Sequence, residues 1–487
     1  MKNPLDNSRP LDVHRWSDYP EAKSACEAIF EEFRAQPNYR GDPEKLKKHL
    51  RVLLIDLYKR YLEDPAGYLQ YSRNSGKYGL DERYNKLFIK YDPLIRAVDF
   101  LSGLGYIEGE KGFFDRESGS SRESRMRATP KLIEVLTGSH GMEPGSISSV
   151  GREVIILRDR AKKPVPYTDD AETNRMRDVI KRYTSQLEAT YIDVILKGYR
   201  AKQTFDINLN DKYTRRIFNN SSWKEGGRFY GGWWQRIPSD LRRRIVIYGK
   251  ETIEIDYSSI HIAILYAIRG VDYFGSGRLD PYSIPGYPGT TEYRTLFKLI
   301  LLTVLNSSDE KAAKRAVQFE MNKSKWDFPS GVKIQEAIKA FESVHPAIIS
   351  HFYSGIGTKL QYIDSQIAEK IIEHFLSPES IGIPPLVIHD SFVVSKHAEA
   401  ELRAVMKTAF HDVLRAESLK DLEFNPETKP ISWDAYKREG ESDVELLAEI
   451  EAFRASDSYD AEQQRRQEVW RPGLLQPSLH VESAEGS

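Results

Sequence analysis

The stretch IEIDYSSIHIAILYA, residues 253–267, sets one carboxylate, Asp256, inside an apolar run with the periodicity of a strand. Alternation places Ile253, Ile255 and Tyr257 on one face and Glu254, Asp256 and Ser258 on the other. Burying an unpaired charge costs several kcal/mol, so the fold must offer Asp256 either water or a cation. For this strand alone a wet polar face is the simpler explanation. A helix is expected from about Ser259 through IHIAILYAIRG.

A second aspartate has the same setting. In PPLVIHDSFVVSKH two apolar runs flank His389, Asp390 and Ser391, the pattern of a tight hairpin of buried strands with a carboxylate at its tip. Asp and Ser are ordinary turn residues, but buried flanking strands leave the turn carboxylate partly desolvated and in need of a partner. Two such aspartates from distant segments are the minimal ligand set for a pair of Mg²⁺ ions about 3.5–4 Å apart, the arrangement that serves phosphoryl transfer. Mg²⁺ takes oxygen ligands and keeps waters or substrate phosphates, so few protein ligands suffice. Between the two aspartates, EYRTLFKLILLTVLN reads as a helix with Arg294 and Lys298 on one face. Alone this is a solvated charge pair. Beside a two-metal site it is how a helix holds a triphosphate, Arg by a fork of hydrogen bonds and Lys as a point charge.

Upstream, residues 1–40 read as a peripheral extension with one short helix. Over residues 41–140, PEKLKKHLRVLLIDLYKRYL and DPLIRAVDFLSGLG have helical spacing, and YIEGEKGFFDRE and SRMRATPKL are extended runs around a polar loop. Helices followed by a hairpin suggest a winged-helix-like, DNA-binding domain. Arg116, Arg122, Arg125 and Arg127 would decorate its wing and Arg96 the helix before it, contacting duplex backbone. The alternative is a solvated charged hairpin. Residues 168–200 read as one long amphipathic helix within a helical region, 141–220. GGRFYGGWWQRIPSDLRRR reads as a loop rich in Gly, aromatics and Arg, opening a domain over 221–437 whose alternating strands and helices give an α+β or α/β pattern. Residues 438–487 form an acidic tail that begins with helical spacing.

In this order the pieces resemble the superfamily of family A DNA polymerases and single-subunit phage-type RNA polymerases. DYSSIHIAILYA resembles motif A, RTLFKLILLTVLN motif B and IHDSF motif C; GRFYGGWWQRIPSDLRRRIVI is similar to the segment before motif A, and LQYIDSQIAEKIIEHF to the helix before motif C. The resemblance spans roughly residues 220–400. It implies an α+β right-hand fold, a palm sheet with helical fingers and thumb. It implies Asp256 and Asp390 as catalytic ligands of two Mg²⁺ ions. Arg294 and Lys298 would contact the incoming nucleotide, with Tyr257, Ser258, His261 and Asn306 shaping its pocket. His389, Arg228, Gln235, Arg243 and Gln361 would contact primer or template. Asn306 stands where these families carry an aromatic residue. His261 stands where the DNA enzymes favour Glu, and His–Asp–Ser follows the RNA polymerases.

The expected function is therefore a template-directed nucleotidyltransferase, extending a nucleic-acid 3′ end from nucleoside triphosphates. The alternatives are a single-subunit RNA polymerase or primase-like enzyme, and a non-catalytic DNA-binding initiator or regulator with a degenerate polymerase domain. Charge distribution is compatible with a nucleic-acid partner. The tail holds 12 acidic and 5 basic side chains, a balance of −7 in a chain of net charge −1, which leaves +6 on the other 437 residues. One cysteine, Cys26, allows no internal disulfide and no zinc cluster. With no signal-like N-terminus and no apolar run long enough to span a bilayer, a cytoplasmic location and no membrane partner are expected.

Overall fold

The computed structural model describes residues 8–37, 39–78, 81–114, 121–149, 151–196, 199, 201, 205–257, 259–271, 273, 280–323, 328–416, 427–428, 470 and 479–481. The architecture is mixed α+β, with two hydrophobic cores, one built from residues between Ala22 and Met142 and one from residues between Val154 and Val481.

The first core lies between helices α1 (Pro20–Arg34), α2 (Pro43–Glu63) and α3 (Tyr91–Gly103) and a sheet of β1 (Ser8–Pro10), β2 (Tyr68–Tyr71), β3 (Ile107–Glu110) and β4 (Ser124–Ala128). The sheet order is β1-β2-β4-β3. Asp42 caps α2, accepting from the N–H groups of Glu44 and Lys45 at 3.0 and 3.2 Å, with Pro43 at the first helical position. From α2 onward the order is helix, strand, helix, hairpin. The described part of residues 1–40 contributes to this core. Helix α1 buries Ala22, Ala25, Cys26, Ile29, Phe30 and Phe33, an i, i+3, i+4 stripe. Arg9 on β1 forks onto buried Asp56 of α2 at 2.8 and 2.9 Å and reaches Glu63 at 3.0 Å. That fork anchors a strand too short to hold itself by its ladder.

The second core carries the aspartates. Strands β5 (Ile155–Leu157), β7 (Thr214–Phe218) and β8 (Gly226–Gly231) form a three-stranded sheet in the order β8-β7-β5. Strands β6 (Ile192–Val194), β9 (Ile245–Ile247), β10 (Lys250–Asp256), β11 (Leu386–Ile388) and β12 (Ser391–Ser395) form an antiparallel sheet in the order β6-β9-β10-β12-β11, with Glu427–Thr428 also pairing on β10. The unit also contains helices α4 (Ala171–Glu188), α5 (Ile260–Ile268), α6 (Thr291–Asn306), α7 (Glu310–Lys323), α8 (Ile334–Val344), α9 (Gly357–Phe375) and α10 (Glu399–Ala416), and the edge strand Leu479–Val481, which pairs with Phe205–Ile207. Helix α9 packs against β8 and α10.

The long helix expected over 168–200 stops at Glu188. Asp170 caps it, accepting from Thr173 N–H at 2.7 Å. Beyond it Ile192 and Val194 join the central sheet opposite Ile247 and Ile245, where β-branched side chains gain more from burial in a sheet than from another helical turn. Residues 205–218 are likewise strand in part, so the region 141–220 is not wholly helical. The glycine-rich segment is not wholly a loop either. Gly226–Gly231 is a strand, and its glycines serve a bulge and a close approach: a Cβ on Gly231, at φ +121°, would sit 2.0 Å from the Tyr213 carbonyl oxygen. Most of the acidic tail, including its expected helix, lies outside the described residues. Trp470 is described, and its ring meets those of Tyr191 and Tyr248.

Candidate functional site

Asp256 is the last residue of β10 and stands opposite Ser391, the first residue of β12. Asp390 is the second residue of the two-residue turn between β11 and β12, where Ile388 faces Ser391. His389 supplies the left-handed backbone that the turn requires, at φ +57°. The Tyr257 N–H donates to the Asp390 carbonyl at 3.1 Å. Two aspartates distant in sequence thus share one end of the sheet, both half-buried. A third carboxylate on the same face of β10, Glu254, accepts from Ser391 Oγ at 2.8 Å and pairs with Arg242 at 3.3 Å.

Arg228 lies beside this pair. Its Nε donates to both oxygens of Asp364 at 3.0 and 3.1 Å, and Nη2 meets Asp364 and also His261 Nε2, the latter at 3.2 Å. His261 Nε2 lies 3.0 Å from Asp364. Burial alone would lower the Arg228 pKa; Asp364, and then Asp390, outweigh it and raise it. His389 moves the other way: burial first, then Arg228, lowers its pKa and favours the neutral ring. Its ring meets Tyr230 edge-on at 5.4 Å. Asp364 was not singled out in the sequence, although a signal was present. It interrupts the apolar stripe Leu360, Ile363, Ile367, Ile371 of α9 at a core position.

Arg294 and Lys298 are exposed on α6. Arg294 pairs with Asp280 at 2.6 Å and lies over the ring of Tyr282. Tyr282 connects that helix to the aspartates. Its hydroxyl hydrogen-bonds Ser259, burial pushes its pKa up to about 12, and it senses both Arg294 and Asp390. Tyr282 was also missed; nothing in its local pattern marks it.

Other expected site residues lie elsewhere. Ser258 is outside the described residues. Asn306 is at the far end of α6, about 18 Å from Arg294 at 1.5 Å per residue; its amide donates to Leu302 O at 2.7 Å and abuts Gly357. Gln235 is committed to backbone, accepting from Gly231 N–H at 3.1 Å and donating to Phe229 O and Val387 O at 3.2 and 2.8 Å, which ties β8 to β11. Arg243 ends a short helix, Ser239–Arg242. Gln361 is half-buried on α9, one turn before Asp364.

Tyr257 points away from Asp256 into the core. Its hydroxyl donates to the Met406 carbonyl and its ring packs against Phe392 and Phe410. Burial raises its pKa well above the ordinary value. Tyr257→Phe is therefore expected to cost about 1 kcal/mol of stability in a urea titration and to leave nucleotide KM unchanged. A raised KM with unchanged stability would return Tyr257 to the pocket.

The hairpin arginines are largely engaged within the chain. Arg122 pairs with Glu110 at 2.7 Å and Arg127 with Glu108 at 2.5 Å, the latter two directly opposite across the strands. Arg125 donates to the Glu123 carbonyl at 2.8 Å, and Arg96 folds over Gly41. Arg116 is outside the described residues. Of the two readings, the charged hairpin accounts for these contacts without DNA.

Among the described residues no group of three or more His, Cys, Asp or Glu side chains could hold a metal ion. Asp256 and Asp390 are hard oxygen donors, the kind of ligand Mg²⁺ takes alongside waters and phosphates. No described helix is long and apolar enough to cross a membrane. No family model matches the chain, and no curated protein matches it significantly. Among solved structures it is similar to the "POL domain of Pol1 from M. smegmatis complex with DNA primer-template and dNTP", at 14% identity and a TM-score of 0.26, covering 87% of this chain and 68% of that one. A TM-score that low carries no weight on fold or function.

Proposed function

We propose that the chain is a template-directed nucleotidyltransferase with a right-hand arrangement, its central antiparallel sheet serving as the palm. The observation that supports this reading is that Asp256 and Asp390 stand at the same end of the sheet, where the Tyr257 N–H donates to the Asp390 carbonyl at 3.1 Å. Asp256 and Asp390 would hold Mg²⁺. When bound, two such ions supply charge neutralisation at the attacking and leaving oxygens. Arg294 would exchange Asp280 for substrate phosphate, a swap that costs little because both side chains are more than a third exposed. Lys298 would add a point charge one turn on. His261 and Arg228, both fixed by Asp364, would border the sugar and the primer end, and neutral His389 would pack beside them.

The test is primer extension on a primed DNA template with Mg²⁺, giving dNTPs and NTPs in separate reactions, with Asp256→Ala beside the native chain. Extension by the native chain only is expected, and the preferred sugar separates a DNA polymerase from an RNA polymerase or primase-like enzyme. Tight duplex binding with no extension from either set would instead assign a non-catalytic DNA-binding protein.

A further inference from the structure

The three-stranded sheet has one closed and one open face. Ile155, Leu157, Arg216, Phe218 and Phe229 are buried on one face, while on the other Ile156, Arg158, Arg215, Arg228 and Tyr230 are half-exposed around a buried Ile217. Register explains the second set: Arg215 faces Tyr230 and Ile217 faces Arg228 across β7 and β8, and Ile217 faces Ile156 across β7 and β5, with Arg158 two residues on. Three arginines and a tyrosine therefore share one surface. Its near end is at the aspartates, because Tyr230 touches the His389 ring and Arg228 senses Asp390.

Arg158 and Arg215 differ from the other arginines of this sheet. Each has a buried Nε with no hydrogen-bond partner, and neither has an ion pair among the described residues. By contrast Arg228 has Asp364 and Arg216 has Glu369. Burial, and then Arg215 itself, lowers the pKa of Arg158, as expected for two cations held together without an anion. A half-buried guanidinium pair left unsatisfied costs stability, and an anionic ligand would recover it. The spacing suits a polyanion: Arg215 on β7 is level with Val154, four residues before Arg158 on the neighbouring strand, so the two backbones are about 14 Å apart at ~4.8 Å between strands and ~3.3 Å per residue.

We propose that this face is a track for a nucleic-acid strand, with Arg158 and Arg215 on its backbone phosphates and Tyr230 stacked beneath the residue nearest Asp390. Cations alternating with an aromatic ring are what a strand needs, charge for phosphates and a flat surface for a base. The proposal rests on the reading of Asp256 and Asp390 as the site where the strand ends.

The experiment is fluorescence anisotropy of a labelled primed DNA duplex with the full chain, titrated with KCl in the absence of Mg²⁺. Removing one cation from a phosphate reduces the slope of log K against log salt by ~0.9, so Arg158→Ala/Arg215→Ala is expected to flatten it by about 1.8. Arg158→Lys/Arg215→Lys is expected to keep most of the native slope, because charge is retained. An unchanged slope in the alanine pair overturns the proposal. So does a lysine pair that falls with the alanine pair, since packing rather than charge would then be at stake. Primer extension is scored separately. A flattened slope without extension by the native chain would keep the track and remove the polymerase reading. Extension with an unchanged slope would do the reverse.

Discussion

Asp390→Asn is expected to reduce nucleotide incorporation about 100- to 1000-fold, the scale found when one preorganised electrostatic contact is removed. The substitution keeps the shape of the side chain and removes its charge. Asn suits a tight turn as well as Asp does, so the hairpin that places residue 390 against Tyr257 should persist, and thermal unfolding should be unchanged. The nucleic-acid affinity should hold or rise, since a negative charge beside Arg228 has gone. Mn²⁺ binding followed by electron paramagnetic resonance gives a readout that does not depend on turnover, and it should weaken in the variant. Full incorporation by Asp390→Asn would end the two-metal mechanism. Normal Mn²⁺ binding with abolished incorporation would move Asp390 from metal ligand to another role.

The largest effect on stability is expected at Arg216. Its guanidinium is fully buried, with Nη1 on Glu369 at 2.6 Å, Nε on the Gly227 carbonyl at 2.8 Å and Nη2 on Ser365 at 3.1 Å. The bonds to Glu369 and Ser365 join the three-stranded sheet to α9. Glu369→Gln leaves the guanidinium buried without its counter-charge and should cost about 3–5 kcal/mol. Arg216→Met/Glu369→Leu, which removes both charges and keeps volume, should recover most of that loss. Urea titrations of the single and double variants measure both. A cost below about 1 kcal/mol for Glu369→Gln would mean that water reaches Arg216, and the two elements would then be held mainly by apolar contact.

Much of the scaffold was legible in the residues because its signals are local. Strand β10, helix α5, the β11–β12 hairpin and helix α6 follow from alternation, from a polar pair between two apolar runs, and from a repeat of three and four. A long periodic run misled where β-branched residues could serve either structure, as at Ile192 and Val194. Glycines misled at Gly226–Gly231, where close packing requires them within a strand. Short anchored pieces such as Ser8–Pro10 were invisible because a distant carboxylate, Asp56, holds them.

By itself the sequence determined the periodic elements and which charges interrupt them, including Asp256 on its strand and Asp390 at its hairpin tip. Only the tertiary structure decided which of those charges meet. It gave Arg228 and His261 to Asp364, Arg122 and Arg127 to hairpin glutamates, Tyr257 to the core and Asn306 to the start of α9. It also left Arg158 and Arg215 without an anion among the described residues on the open face. Periodicity is fixed by neighbours a few residues apart. The partner of a buried charge is fixed by whichever opposite charge the packing of distant elements brings within about 3 Å, the reach of a charge-assisted hydrogen bond.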